Sequence, residues 1–264
     1  MNVTFVGGGV MGEAILNAAL KAGLLAPGDI TVAEIVEPRR EFLHETYGVN
    51  VTDSAEEALE TADTAILAVK PQDMGSVAGT LRNDALLLSI MAGVTISAMA
   101  KTFDHGAIVR VMPNTPATIG EGMSVWTATA TVTDAQKKFA GDLLGACGRQ
   151  LYVASEKKLD MATALSGSGP GYVFLMIEAM IEGGVIVGLT RAEAQEMAIQ
   201  TVYGSAAYAL QSSDSPADLR ARVTSPAGTT AAGLQELEKA GVRAAIIEAI
   251  RAAHQRSIEL GKVE

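Results

Sequence analysis

Up to about residue 154, short apolar runs rich in β-branched residues alternate with stretches of helical period. The runs are VTFV at 3–6, ITVA at 30–33, TAILAV at 64–69, ALLLSI at 85–90 and AIVRV at 107–111. Between the first two, Val10, Ala14, Ile15, Ala18, Ala19 and Ala22 fall on one stripe of a helix over 10–23. Strands apolar at nearly every position and separated by helices predict an α/β region built on a parallel sheet covered on both faces. After roughly residue 155 the strand signal stops, and Ala-rich helical patterns follow at 157–187, 191–212 and 230–261, so the second half reads as all-helical. Small-residue runs at 166–171 and 225–230 interrupt them. Over 242–261, Ile246, Ile250, Ala253 and Ile258 form an apolar stripe that must pack on its own domain or on another copy of the chain. The most apolar segment, GYVFLMIEAMIEGGVIVGL at 171–189, carries Glu178 and Glu182 on one helical face and is broken by glycines. That combination predicts a buried interior helix rather than a membrane span.

Composition narrows the function classes. With 264 residues, 48% of them hydrophobic and 19% charged, the chain can bury a sizeable core, and its length suits two moderate domains. A net charge of −10 opposes binding to nucleic acid or to anionic membranes, so an anionic ligand must be held by local donors. Cys147 stands alone, which excludes an intrachain disulfide and a multi-thiolate metal site and leaves packing as its role. His44, His105 and His254 are scattered, with no metal-ligand spacing, and no metal is expected. The N-terminus enters directly into a strand pattern without a basic region, apolar run and cleavage site, from which a cytoplasmic location is expected.

The first strand runs into FVGGGVMGEAI, where Gly7, Gly9 and Gly12 spell G-x-G-x-x-G between a strand and a helix. In that context Gly7 allows the tight turn, Gly9 lets backbone approach a pyrophosphate, Gly12 brings helix against strand, and the helix N-terminus favours phosphate. Glu34, at the end of the second strand, suits hydrogen bonding to a ribose 2′-hydroxyl and repels a 2′-phosphate. Arg39 and Arg40 follow it, and are either a clamp for the phosphate of NADP or solvated first-turn residues after Pro38. NAD and NADP therefore both stay open.

Further loops fall at strand ends, where open α/β sheets bind ligands: AVKPQ at 68–72, MAGVT at 91–95 and MPNTPATIGEG at 112–122. In the last, two prolines hold Asn114 and Thr115 on a stiff loop. In the helical half, LSGSGPGY at 165–172 and TSPAGTT at 224–230 each precede a helical pattern and offer backbone N–H groups and hydroxyls to an anion such as a carboxylate. No basic residue lies between Lys158 and Arg191, and no His lies near these loops, so a general acid for reducing a ketone is missing. A cyclic imine that arrives protonated accepts hydride without one.

In this order, FVGGGVMGEAI, AVKPQ, MAGVTIS, VMPNTPATIGEG, ALSGSGPGYVF and VTSPAGTTAAGL closely resemble the pyrroline-5-carboxylate reductase family along nearly the whole chain. The resemblance implies reduction of 1-pyrroline-5-carboxylate to L-proline, the last step of proline biosynthesis, by NADPH or NADH. It implies a Rossmann-like doubly wound parallel sheet over 1–154, and an all-α substrate-binding and dimerisation domain over 155–264 that interlocks in a homodimer and, in many members, a homodecamer. By motif matching, Gly7, Gly9, Val10, Met11 and Gly12 would hold the pyrophosphate, with Glu34 at the adenosine ribose. Ala68, Val69, Lys70, Pro71, Ala92 and Gly93 would line the cofactor cleft, and Asn114 would face the nicotinamide. Ser225, Gly228 and Thr229 would bind the substrate carboxylate, and the Thr230 hydroxyl would act in catalysis by bonding the ring nitrogen.

The chain departs from the family pattern at Glu34-Ile35, where many members carry an Asn-Arg-type pair, and at Ala55, where many carry Asn. Gly171 and Ala227 replace the usual Ala and Gly, the latter awkward if the turn needs a positive φ. The rival readings are a β-hydroxyacid dehydrogenase, disfavoured because the helix after 165–172 has no lysine; a reductase of another cyclic imine; and a cofactor-binding regulatory protein without catalysis, disfavoured by the intact TSPAGTT.

Overall fold

The computed structural model describes residues 1–261, which form two compact units: Met1–Ser168 with the segment from Ala252, and Gly169–Arg251. The first unit is an eight-stranded sheet of order β3-β2-β1-β4-β5-β6-β7-β8. Its strands are β1 (Val3–Val6), β2 (Ile30–Ala33), β3 (Asn50–Thr52), β4 (Thr64–Leu67), β5 (Leu86–Ser89), β6 (Ile108–Met112), β7 (Gly122–Ala128) and β8 (Gly148–Tyr152). Neighbours run parallel except β6 and β7, so the five apolar runs are all strands and the expected parallel sheet gains one antiparallel step. The strands missed by their pattern are β3, β7 and β8. β3 and β8 have solvent on them and carry polar residues, and β7 mixes Ser and Thr with Val and Trp.

Helices α1 (Val10–Lys21), α2 (Glu37–Tyr47), α3 (Ala55–Glu60), α4 (Ile96–Phe103) and α5 (Asp134–Ala146) connect the strands. Alternate side chains of the central strands feed two separate cores. Phe5, Ile66, Leu86, Leu88 and Val109 pack with Ile15 and Leu16 of α1 and Leu143 of α5. Val6, Ala65, Leu67, Leu87 and Ile108 pack with Leu59 of α3 and Met99 and Phe103 of α4. Burial on both faces is why these strands read as unbroken apolar runs. Cys147, after α5, is buried, and burial alone pushes its thiol up to about 11, so it stays protonated as packing material. His105 is likewise a satisfied core residue, its Nε2 2.9 Å from the Ala85 carbonyl oxygen.

One charge sits in this core. Arg110 of β6 is 4% exposed and donates through Nη1 to Glu156 Oε1 at 2.7 Å, with Asp160 Oδ1 3.7 Å from Nη2. Glu156 Oε1 also accepts from the Ile96 amide at the start of α4, and Asp160 belongs to α6 (Lys157–Ala162) and accepts from Ser257 Oγ. The cluster ties the middle of the sheet to two helices.

The second unit holds α7 (Gly169–Ile186), α8 (Arg191–Gln211), α9 (Pro216–Arg222), α10 (Thr229–Lys239) and most of α11 (Val242–Leu260). The single helical pattern at 230–261 is two helices, broken at Gly241 with φ +72°. α7 and α8 pack closely because a Cβ at Gly184 would lie 2.8 Å from that of Ala194. Only Ile181 of α7 is buried in the single chain, whereas Phe174, Leu175, Met176, Met180 and Ile186 are exposed. The expectation of a buried interior helix is therefore corrected: hydropathy identifies an apolar helix but not what covers it, and one chain's neighbours do not suffice.

Removing Glu156 leaves Arg110 buried without its nearest counter-charge, whereas removing the arginine leaves its partners near the surface. Glu156→Ala should cost about 3 kcal/mol and Arg110→Met less than half of that, measured by urea denaturation.

Candidate active site

The sheet places β2 on one side of β1 and β4 on the other, so the strand order reverses between β1 and β4, the point at which such sheets bind ligands. The glycine loop leaves β1 there. Gly7 has φ +98°, and a Cβ on it would lie 2.8 Å from the Ala68 carbonyl oxygen; one on Gly12 would lie 2.7 Å from the Gly7 oxygen. Both glycines are therefore demanded by backbone contact. Gly9, in contrast, is exposed and has no atom within 4 Å of its Cβ position, so open space lies over the loop. It begins α1 without a side-chain cap, leaving the first-turn amides, Val10 and Met11 among them, directed outward.

Side-chain capping differs from helix to helix. α3, α4, α5, α8 and α9 are closed by the hydroxyls of Ser54, Thr95, Thr133, Thr190 and Ser215. α1 and α10 open instead at Gly9 and Gly228, and α2 and α6 at Val36 and Glu156, with no side-chain cap at any of the four. A helix N-terminus without a cap keeps its donors and its positive dipole for an anion.

Around the loop, Ala68 and Val69 follow β4, and the Ala68 amide donates to the Val6 carbonyl at 2.8 Å, which fixes them against the glycines. Lys70 is exposed, and Pro71 starts a 3-10 turn over Pro71–Ser76. Ala92 is exposed after β5, whereas Gly93 is buried with φ +77°, and a Cβ on it would lie 3.2 Å from that of Leu260 at the end of α11. Asn114 is a brace: its Oδ1 accepts from the Met123 amide at 2.8 Å and its Nδ2 donates to the Ser166 carbonyl at 3.0 Å.

Glu34 turns back to the glycine loop. Its two carboxylate oxygens accept from the amides of Gly8 at 2.8 Å and Val36 at 3.0 Å, which leaves lone pairs for a ribose hydroxyl. Arg39 is neither of the alternatives expected for it. Its Nε donates to the Gly8 carbonyl at 2.6 Å and its Nη2 pairs with Glu13 of α1, while Arg40 donates to the Glu34 carbonyl at 2.7 Å. Tyr47 at the end of α2 donates to the other Glu13 oxygen at 2.6 Å. Burial pushes Glu13 up, but the hydrogen bonds from Arg39 and Tyr47 and the charge of Arg39 outweigh it and hold the carboxyl below its ordinary value. Burial and the same bond push the Tyr47 phenol up to about 12. Nothing in the sequence pattern pairs Glu13 with Arg39, because they meet only when α1 and α2 flank the loop.

Of the two small-residue runs in the helical half, one is corrected. Residues 163–167 form a π-helical turn joined to α6, in which the Ser168 amide donates to the Thr163 carbonyl at 2.7 Å and Ser166 Oγ to the Ala162 carbonyl at 3.0 Å. These donors are spent within the turn and do not form an open anion loop. The small residues serve close approach instead: a Cβ on Gly167 would lie 2.5 Å from Met112 Cε. The other run is a turn whose Gly228 amide donates to the Ser225 carbonyl at 3.0 Å, and a Cβ on Gly228 would fall 2.4 Å from Ser225 Oγ. Ser225, Thr229 and Thr230 are exposed on it. Ala227 does adopt a left-handed φ of +59°, so its methyl is strained where glycine would not be.

Residues 156–260 match the model of the pyrroline-5-carboxylate reductase dimerisation domain, and residues 2–93 that of the coenzyme F420-dependent NADP oxidoreductases. The chain is 46% identical over 260 residues to a pyrroline-5-carboxylate reductase of Synechocystis, covering 97% of both. It belongs to the pyrroline-5-carboxylate reductase family. The Escherichia coli reductase is 38% identical, with 98% of each chain covered. Among solved structures, the pyrroline-5-carboxylate reductase of Coxiella burnetii superposes with a TM-score of 0.90 at 35% identity and 99% coverage of both chains. That of Plasmodium falciparum, determined with NADP bound, gives 0.88 at 31%, with 99% of this chain and 98% of that one covered. A reductase family that uses NAD(P)H fits the glycine cradle and the open space above Gly9.

Two outcomes are expected from these side chains. Ala227→Gly should raise stability by about 1 kcal/mol, read from urea denaturation, by relieving the left-handed strain. Because Glu13 is held below its ordinary value of 4.5, its contribution to stability is complete above that value and lost as the pH falls through the folded-state value. Glu13→Gln should accordingly flatten the acid limb of a stability-pH profile and leave its shape around neutral pH unchanged.

Proposed function

We infer that the chain reduces 1-pyrroline-5-carboxylate to L-proline with NADH or NADPH, in the cytoplasm, as the final step of proline biosynthesis. The observation that carries the reading is the turn at 224–230, where Gly228 is packed against Ser225 and α10 starts without a cap. An uncapped helix start with exposed hydroxyls suits a carboxylate in a chain of net charge −10.

The proposed division of labour follows the two units. In the sheet unit, the first-turn amides after Gly9 hold the pyrophosphate and Glu34 the adenosine ribose, with residues 68–71, Ala92, Gly93 and the loop braced by Asn114 around them. The dinucleotide supplies the hydride when bound. In the helical unit, Ser225, Gly228 and Thr229 fix the carboxylate, and the Thr230 hydroxyl hydrogen-bonds the ring nitrogen. The imine carbon gains the hydride, the C=N π electrons pass to the nitrogen, and that nitrogen keeps its proton as the amine of proline. The chain's role is orientation and exclusion of water, in keeping with loops that hold no histidine. We further propose that the exposed apolar residues of α7 and α8 pair with those of a second copy in a homodimer, and that dimers assemble into a homodecamer. Burial of Phe174, Leu175 and Met180 would supply roughly 1.5–3 kcal/mol for each fully covered side chain.

Loss of reduced-nicotinamide absorbance on adding pyrroline-5-carboxylate tests the reading, with proline as the product; no consumption of either nucleotide despite their binding would overturn it. Thr230→Ala should lower kcat about 100-fold with the melting temperature unchanged, and unaltered kcat would remove Thr230 from the chemistry. Light scattering at micromolar concentration should give a mass of at least two chains.

A further inference from the structure

The Arg39 side chain is engaged through Nε and Nη2 although it follows the strand end where a dinucleotide's adenosine ribose is read. Its Nε holds the Gly8 carbonyl at 2.6 Å, its Nη2 pairs with Glu13, and its guanidinium carbon lies 4.9 Å from the centroid of the Phe42 ring. Glu13 is itself fixed from the other side by the Tyr47 hydroxyl at 2.6 Å. Arg39 and Glu13 are both about three-quarters buried, which strengthens a charge pair relative to one in open solvent. Gly8 links this strut to Glu34: its carbonyl accepts from Arg39 and its amide donates to the Glu34 carboxylate at 2.8 Å. One peptide position thus carries a cation on one side and an anion on the other.

On the reading that the glycine loop holds NAD(P), we propose that Glu13, fixed by Tyr47, is a specificity-positioning residue that sequesters Arg39 and so makes this chain select NADH over NADPH. A 2′-phosphate would meet the Glu34 carboxylate while the guanidinium able to neutralise it is bound to Glu13 and Gly8. A ribose 2′-hydroxyl needs only an acceptor, which Glu34 retains. Removing Glu13 frees one edge of the Arg39 guanidinium, a planar donor suited to phosphate, for the 2′ position.

The test is calorimetric binding of ADP-ribose and of its 2′-phosphorylated form to the enzyme without nucleotide, which needs no turnover. The unaltered protein should bind ADP-ribose at least about tenfold more tightly. In Glu13→Ala the ratio should shift about tenfold towards the phosphorylated ligand, and Arg39→Ala added to it should abolish that shift. Tyr47→Phe, which keeps the ion pair but loosens Glu13, should shift the ratio in the same direction by a smaller factor and guards against a Glu13→Ala protein that fails to fold. Equal weakening of both ligands in the variants would make the strut merely structural and overturn the inference, as would an unaltered protein that prefers the phosphorylated ligand. Binding of neither ligand would refute the dinucleotide reading itself.

Discussion

The approach of Gly7 to the Ala68 carbonyl constrains the rest of the molecule. A Cβ would stand 2.8 Å from that oxygen, so β1 and β4 deliver their loops to one place only if the residue leaving β1 has no side chain. The approach follows from β4 pairing beside β1 on the side away from β2, in register from Val3 with Thr64 to Val6 with Leu67. That pairing makes the strand order reverse at β1 and sets Ala68 and Val69 against the glycine loop.

In so acidic a chain, the proposed anion sites offer helix dipoles and backbone amides. Five helices carry Ser or Thr caps, whereas α1 and α10, proposed to face anionic ligands, begin at Gly9 and Gly228 with no side-chain cap, as α2 and α6 also do at Val36 and Glu156. Two cations are committed to the fold: Arg39 braces the glycine loop through Glu13 and Gly8, and Arg110 joins the sheet to α4 and α6. Holding an anion with backbone would leave the local charge free to discriminate, the part proposed for Glu34 at the end of β2.

Apolar helices that one chain leaves exposed belong to the same economy of design. Phe174, Leu175 and Met180 on α7 are as apolar as core residues, yet the α8 partner face accounts only for Ile181 and its neighbours. The match to a dimerisation domain fits the proposed pairing of such helices between copies, and the strain at Ala227 shows that its turn is held by its surroundings against the preference of its own residue.

The five central strands, the glycine cradle, the helical second half and the family were legible in the residues alone, because doubly buried strands and close backbone approaches restrict residue type locally. β3 and β8 escaped because partly solvated strands lack the apolar run, and the π turn at 163–167 escaped because small residues mark both loops and tight helix contacts. Only the tertiary structure decided that Arg39 answers to Glu13, that Asn114 is a brace and that Arg110 is a buried ion rather than a surface one. Each of these depends on partners 26, 52 and 46 residues away along the chain, and pairing over such distances is set by packing, not by the residues' own preferences.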